Sequence, residues 1–207
     1  IAICGYHGWH DWYLSTNLNS DKNLDGHLLP GLQPNGVPRG LTGTTLPFDY
    51  NNIGQLEKLI KANHGKIAAI KMEVSRNKGP EDNYLQKVRD LATENNIVLI
   101  FDECTSGFRE IFGGLHKKYG VEPDLAVFAK ALGNGYAISA CIGRKKIMQA
   151  AQQTFISSTF WTERIGPAAA LKTLEVMQRE KSWEKISQIG KGISERWKLL
   201  AEKYELN

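Results

Sequence analysis

What the chain has little of narrows the field first. It holds three cysteines, Cys4, Cys104 and Cys141, with no CxxC pair and one left over from any pairing. A disulfide framework is not expected, and a reducing, cytoplasmic compartment fits. It lacks a surplus of one charge. Its 26 Lys and Arg face 22 Asp and Glu, a net +4, and the basic residues are mixed with acids along the chain. Nucleic acid is therefore not an expected partner. Its longest apolar runs, such as Ile97-Val-Leu-Ile-Phe101, fall far short of the roughly 20 residues of a membrane span, so no membrane is expected. No initiator Met or signal-peptide pattern opens the sequence. Neither a Walker A pattern nor a GxSxG elbow occurs, and Gly133-Asn-Gly135 has Ile138 where a dinucleotide fingerprint needs its third glycine. His7 and His10, followed by Asp11, lack further ligands at believable spacing, so no metal is expected.

What is present is an ordinary globular composition, 42% apolar and 23% charged, which excludes a disordered tail. Short apolar runs alternate with amphipathic segments. Ile67–Met72, Ile97–Phe101 and Leu125–Phe128 read as buried strands. Asn51–Ala62 and Glu81–Asn95 read as helices, the second burying Tyr84, Leu85, Val88, Leu91 and Ala92. Near-continuously apolar strands alternating with helices predict an α/β fold with a mostly parallel sheet flanked by helices. Residues 17–47 are rich in Gly, Pro and Asn and predict a long functional or partner-covering loop. Trp183, Ile186, Ile189, Ile193, Trp197 and Leu200 recur at helical spacing. That stripe needs cover, either from this domain or from a continuation of the chain.

Two strand ends carry chemistry. Ile97–Phe101 runs into Asp102-Glu103, and Leu125–Phe128 leads through Ala129 to Lys130 and a glycine turn; Tyr6-His7-Gly8 follows a third strand end. Ligands of open α/β sheets bind beyond the carboxyl ends of the strands, where both groups stand. A buried ion pair would explain a carboxylate and a lysine. So would a pyridoxal 5'-phosphate site, which needs an amine for a Schiff base, an acid at the pyridine nitrogen, and a surface against the ring.

Tyr6-His7-Gly8-Trp9-His10-Asp11, Phe101–Arg109, Pro123-Asp124-Leu125 and Ala129–Gly135 together resemble the motifs of class III aminotransferases. Gly36-Val-Pro38, Gly113-Gly-Leu115 and Tyr119–Asp124 bring the likeness closest to the glutamate-1-semialdehyde 2,1-aminomutase group. The resemblance implies the fold of the type I transferases, with residues 1–180 as part of the cofactor-binding large domain and 181–207 as a helix leading towards a small domain. It implies pyridoxal 5'-phosphate as cofactor and Lys130 as the Schiff-base lysine and proton carrier. Asp102 would pair with the pyridine nitrogen. Tyr6 would stack on one ring face with His7 beside it, and Cys104 would pack the other face. Thr159, in Ser158-Thr159-Phe160, would reach the phosphate of the neighbouring subunit in a homodimer. Glu103 and Arg109 are expected to form a structural salt bridge. The chain departs from the family pattern at Glu73-Val74, where Glu-Pro is usual, and no upstream phosphate loop or downstream small domain is in it, so residues 1–207 alone are expected to hold the cofactor weakly or not at all. The expected function is amino transfer between a small amine or amino acid and an oxo compound. The alternatives are an intramolecular amino shift, or a non-catalytic binding or oligomerisation domain. Phe160-Trp161-Thr162-Glu163-Arg164 departs from the Gly-rich pattern of aminomutases and favours transfer.

Overall fold

The computed structural model describes residues 1–156, 159 and 162–206. Among these, six strands form one sheet: β1 (Ala2–Cys4), β2 (Leu46–Pro47), β3 (Ala69–Glu73), β4 (Val98–Asp102), β5 (Leu125–Phe128) and β6 (Ala140–Gly143). Their order is β2-β1-β3-β4-β5-β6. The first five run parallel, and β6 closes the edge antiparallel to β5. The helices are α1 (Asp11–Leu14), α2 (Ile53–Ala62), α3 (Tyr84–Glu94), α4 (Lys145–Met148), α5 (Ile165–Glu180) and α6 (Ser182–Lys203). The expected α/β fold with a mostly parallel sheet is what forms.

Local chemistry sets the element ends. Asn52 caps α2, its Oδ1 accepting from the Gln55 amide at 3.1 Å, so the helix begins at Ile53. Asp82 and Asn83 sit at φ 47° and 57°, a left-handed conformation these two residue types tolerate but a helix cannot contain. That is why α3 starts at Tyr84 rather than Glu81.

Parallel register sorts the side chains by face. Ile70 lies beside Leu99, Met72 beside Phe101, and Phe101 beside Ala126. This face carries the main core, closed by Leu56 and Ile60 of α2 and by Tyr84, Leu85, Val88 and Ala92 of α3. Around Ala126 and Phe128, α5 adds Ala170 and Leu174. The opposite face holds Lys71, Glu73, Ile100, Asp102, Leu125 and Val127 in register. It is packed firmly at β1, where Ile3 meets Tyr13, Leu24 and Leu32. Ile100, Leu125 and Val127 stay half-buried. Full cover on both faces is thus not what the described residues provide. The charged side chains on the second face require polar partners instead of an apolar lid.

The predicted long loop lies mostly at the surface and is pinned by a few buried side chains. It contains short 3₁₀ turns at Asp25–His27 and Arg39–Leu41 and contributes β2. Asn17 stitches it: buried, it donates through Nδ2 to the Leu32 carbonyl at 2.8 Å and accepts the Leu24 amide at 3.0 Å. The stripe on α6 is covered unevenly. Trp183 packs on Phe112 with ring centroids 5.5 Å apart, while Ile189, Ile193, Trp197 and Leu200 are exposed. Among the described residues no helix is long and apolar enough to cross a membrane.

Candidate active site at the carboxyl edge of the sheet

β1, β3, β4 and β5 end side by side, and the chain leaving each one supplies a polar group. After β1 the backbone turns at Gly5. Its φ is +103°, and a Cβ there would lie 2.8 Å from Glu73 Oε2, so glycine is required twice over. The turn delivers His7 into the sheet edge, where it is buried. One ring nitrogen, Nδ1, lies 3.0 Å from Asp102 Oδ2, and the other, Nε2, lies 3.1 Å from the Cys4 carbonyl. Both neighbours are acceptors, so only the protonated ring donates to each. Burial opposes that proton, as does the Lys71 charge, and the His7 pKa is lowered despite the Asp102 carboxylate.

Asp102 is the hub. Oδ1 accepts the Cys104 amide at 3.1 Å, and Oδ2 faces both His7 Nδ1 and, at 3.2 Å, Lys71 Nζ. Burial alone would raise the carboxyl pKa. The His7 hydrogen bond, the Lys71 charge and the Cys104 amide outweigh it and hold the pKa at about 2. Lys71 is anchored on its other side by the Trp12 ring, 5.3 Å from the ammonium to the centroid. The sequence reading missed Lys71. Its signal was a charged residue inside the apolar run Ala68–Met72, two residues before Glu73 and so on the same face.

Lys130 follows β5 after one intervening residue, Ala129, and has φ 44°. A left-handed non-glycine residue costs about 1 kcal/mol or more, and such strain gathers at functional sites. Its Nζ donates to Thr105 Oγ1 at 2.6 Å, a neutral hydroxyl that the sequence reading also missed. Asp102, Cys104 and Thr105 thus lie on one short segment, which grips the carboxylate at one end and the amine at the other. The Cys104 thiol between them is half-buried; burial raises its pKa, and the Lys130 and Asp102 charges both act on it. The sheet edge therefore joins His7 and the Cys104 amide to Asp102, and the next residue, Thr105, holds Lys130.

Tyr6 precedes His7 on the segment that leaves β1. It packs edge-on against Tyr13, and the Arg76 guanidinium lies 5.8 Å over its ring. Arg76 in turn grips both oxygens of Glu73 at 3.0 and 2.9 Å. Burial still raises the Glu73 pKa, although Arg76 lowers it. A cavity of about 300 Å³ is lined by Gly5, His27, Tyr50, Glu73 and Arg76 among others, and by none of Tyr6, His7, Asp102, Cys104 or Lys130. Glu73 without its following proline is thus a buried, paired carboxylate at the rim.

One expected contact is not made. Glu103 does not pair with Arg109. It turns under the sheet edge, fully buried, and accepts from the His116 amide at 3.0 Å, from His116 Nδ1 at 2.8 Å and from the Ser106 hydroxyl. A buried carboxylate needs several donors at once, and the turn at Gly114–His116 supplies them. Arg109 stays at the surface, its Nε donating to the Thr105 carbonyl at 2.7 Å. Thr159 lies exposed in a turn, and none of the hydrogen bonds between described residues ties it to Asp102 or Lys130. Ser158, Phe160 and Trp161, on which the phosphate-segment and transfer readings also relied, lie outside the described residues.

The sequence profile described as "Aminotransferase class-III" matches residues 4–207. A 3-aminobutyryl-CoA aminotransferase of Cloacimonas acidaminovorans is 36% identical over 92% of this chain and 44% of its own length. A glutamate-1-semialdehyde 2,1-aminomutase of Methanococcus vannielii is 37% identical over 82% of this chain and 40% of its own. The chain thus spans less than half the length of these curated relatives. Among solved structures, the FumI protein of Sphingopyxis sp. MTA144, in its PLP internal aldimine form, superposes with a TM-score of 0.71 at 25% identity, covering 86% of this chain and 41% of that one.

Proposed function

This chain belongs to the class-III aminotransferases, and from that membership we propose that it is the cofactor-binding part of an enzyme using pyridoxal 5'-phosphate to move an amino group between a small amine or amino acid and an oxo compound. The observation that carries the reading is the strand-end cluster. Its amine is hydrogen-bonded to a neutral hydroxyl, and its carboxylate is held ionised down to about pH 2. That donor set fits the cofactor: a carbonyl carbon needs a primary amine, and a ring nitrogen that keeps its proton needs an acceptor that never titrates near neutrality.

Lys130 would hold the cofactor through Nζ, Asp102 would accept from its ring nitrogen, and Tyr6 and Cys104 would confine its two faces. When bound, the cofactor supplies an electron sink for the carbon that carries the amino group. The chain's own residues do the rest. The amide of Cys104 and the ring of His7 fix the Asp102 carboxylate in one orientation. Thr105 would steer Lys130 Nζ, which would carry a proton between the substrate carbon and the cofactor carbon, the relay that moving the amino group requires. The phosphate is assigned to Thr159 of a second copy, which makes the working assembly a homodimer. Residues 1–180 belong to the large domain and 181–207 lead out of it, and the setting is the cytoplasm, where the free thiols stay reduced. Transfer is preferred to an intramolecular shift because residues 160–164 lack the Gly-rich aminomutase pattern.

The test uses the full-length protein that carries these residues. Borohydride reduction in the presence of pyridoxal 5'-phosphate, followed by peptide mass spectrometry, is expected to place a pyridoxyl group on Lys130, and Lys130→Ala to lose it. Labelling elsewhere or none at all supports the non-catalytic alternative.

A further inference from the structure

Lys71 is not needed to keep Asp102 satisfied. His7 and the Cys104 amide already occupy one oxygen each at 3.0 and 3.1 Å. The ammonium is nonetheless drawn into the same carboxylate oxygen as His7, at 3.2 Å, with its side chain 18% exposed and the Trp12 ring behind it. A cation bound to a carboxylate reduces the attraction left for a second, and in a poorly solvated site that competition is not screened away. We propose that Lys71 is a positioning residue that shares the Asp102 carboxylate with the cofactor's ring nitrogen and thereby limits how firmly Asp102 holds the proton on that nitrogen.

The inference rests on the assignment of Asp102 to the ring nitrogen. The other charged and titratable groups facing the carboxylate are Glu73, in register with it on β3 and tied to Arg76, the Cys104 thiol, and Lys130 beyond Thr105. None of these lies in an ion pair with Asp102, whereas Lys71 does. The same competition acts on His7, whose pKa Lys71 lowers. Removing the ammonium therefore frees Asp102 towards both remaining donors.

The experiment compares two compounds on the full-length protein: pyridoxal 5'-phosphate and its 1-deaza analogue, which has a carbon in place of the ring nitrogen. The readout is the ratio of the analogue's Kd to the cofactor's Kd. In Lys71→Met and Lys71→Gln the ratio is expected to rise about three- to tenfold, the size of one partly buried charge contact. In Lys71→Arg, which keeps the charge, it is expected to stay within about twofold of the parent. Nitrogen-15 NMR of the apoprotein supplies a second reading, in which His7 takes up its second proton at higher pH in Lys71→Met than in the parent. An unchanged ratio in both neutral variants overturns the proposal while leaving the proposed function standing. Equal loss of both compounds in the neutral variants also overturns it, because Lys71 is then purely structural. A parent that binds neither compound overturns the functional reading, and this inference with it.

Discussion

The backbone of Lys130 separates what the position demands from what the side chain does. At φ 44° any side chain with a Cβ is strained, so Lys130→Ala keeps the strain and loses only the amine, whereas Lys130→Gly relieves it. Chemical denaturation is expected to find Lys130→Gly about 1 kcal/mol more stable than Lys130→Ala, with both variants equally unable to be labelled by borohydride. Equal stabilities would show that the left-handed conformation carries no cost here. Thr105 is the companion case. Thr105→Val removes the acceptor at 2.6 Å from Nζ without changing shape much, and its expected effect is slower pyridoxyl incorporation at an almost unchanged denaturation midpoint. Asp102 and Lys130 were legible in the sequence because each ends an apolar strand abruptly, in the place where α/β sheets bind ligands. Lys71 and Thr105 were not, because a single charge inside a strand or a hydroxyl in a loop becomes informative only when the fold shows what it faces.

At the scale of elements, the site depends on β4 and β5 ending level, and one buried carboxylate sets that register. Asp124, just before β5, accepts the Leu99 amide of β4 at 2.8 Å and the Arg89 guanidinium of α3 at 2.8 Å. Arg144, beyond β6, approaches it at 3.4 Å. Four elements converge on this side chain, which is 10% exposed. Asp124→Ala strands a buried amide and a mostly buried guanidinium, and is expected to destabilise the folded state by about 3 kcal/mol. Asp124→Asn, which can still accept both hydrogen bonds, should lose less. Equal losses from the two substitutions would assign the effect to charge alone. Interior spans such as β5 and α2 could be read from periodicity, as could the parallel sheet. The edge strands β2 and β6 could not, since the two residues Leu46-Pro47 and the short Ala140–Gly143, which ends in glycine, have too little pattern of their own and pair only because a neighbouring strand offers its edge. The Glu103–Arg109 pairing failed for a related reason. Proximity in sequence favoured it, but the turn at Gly114 brings donors from farther along the chain into a site that Arg109 cannot enter.

Across the whole molecule, most of the buried groups that titrate below neutrality pull in one direction as pH falls. His7 and His27 are both lowered from the ordinary histidine value of 6.5, chiefly by burial. An unfolded chain takes up protons on these rings below 6.5 while the folded chain does so only at lower pH, so stability is lost from that point downwards. Asp102, Asp124 and Glu103 lie below their ordinary values of 3.8, 3.8 and 4.5 because hydrogen-bond donors and cations outweigh burial. Their stabilisation is complete above those values and disappears as pH drops through the folded pKa values. For Asp102, which moves from 3.8 to about 2, this amounts to about 2 kcal/mol. Glu73, raised by burial, runs the other way: its folded carboxyl takes up its proton above 4.5, so the folded state gains as pH falls towards 4.5, and the gain is complete below that value. One carboxylate does not offset three. Thermal unfolding of the full-length apoprotein is therefore expected to show Tm level at pH 7–8, a first decline below about 6.5, and a steeper one below about 4.5. The double variant His7→Gln, His27→Gln should remove the first decline and leave the second in place. A Tm that rises in the parent as pH falls through 6.5 would mean that folding raises the two ring pKa values, the carboxylate then outweighing burial at His7, and a flat Tm would mean that folding leaves them unshifted.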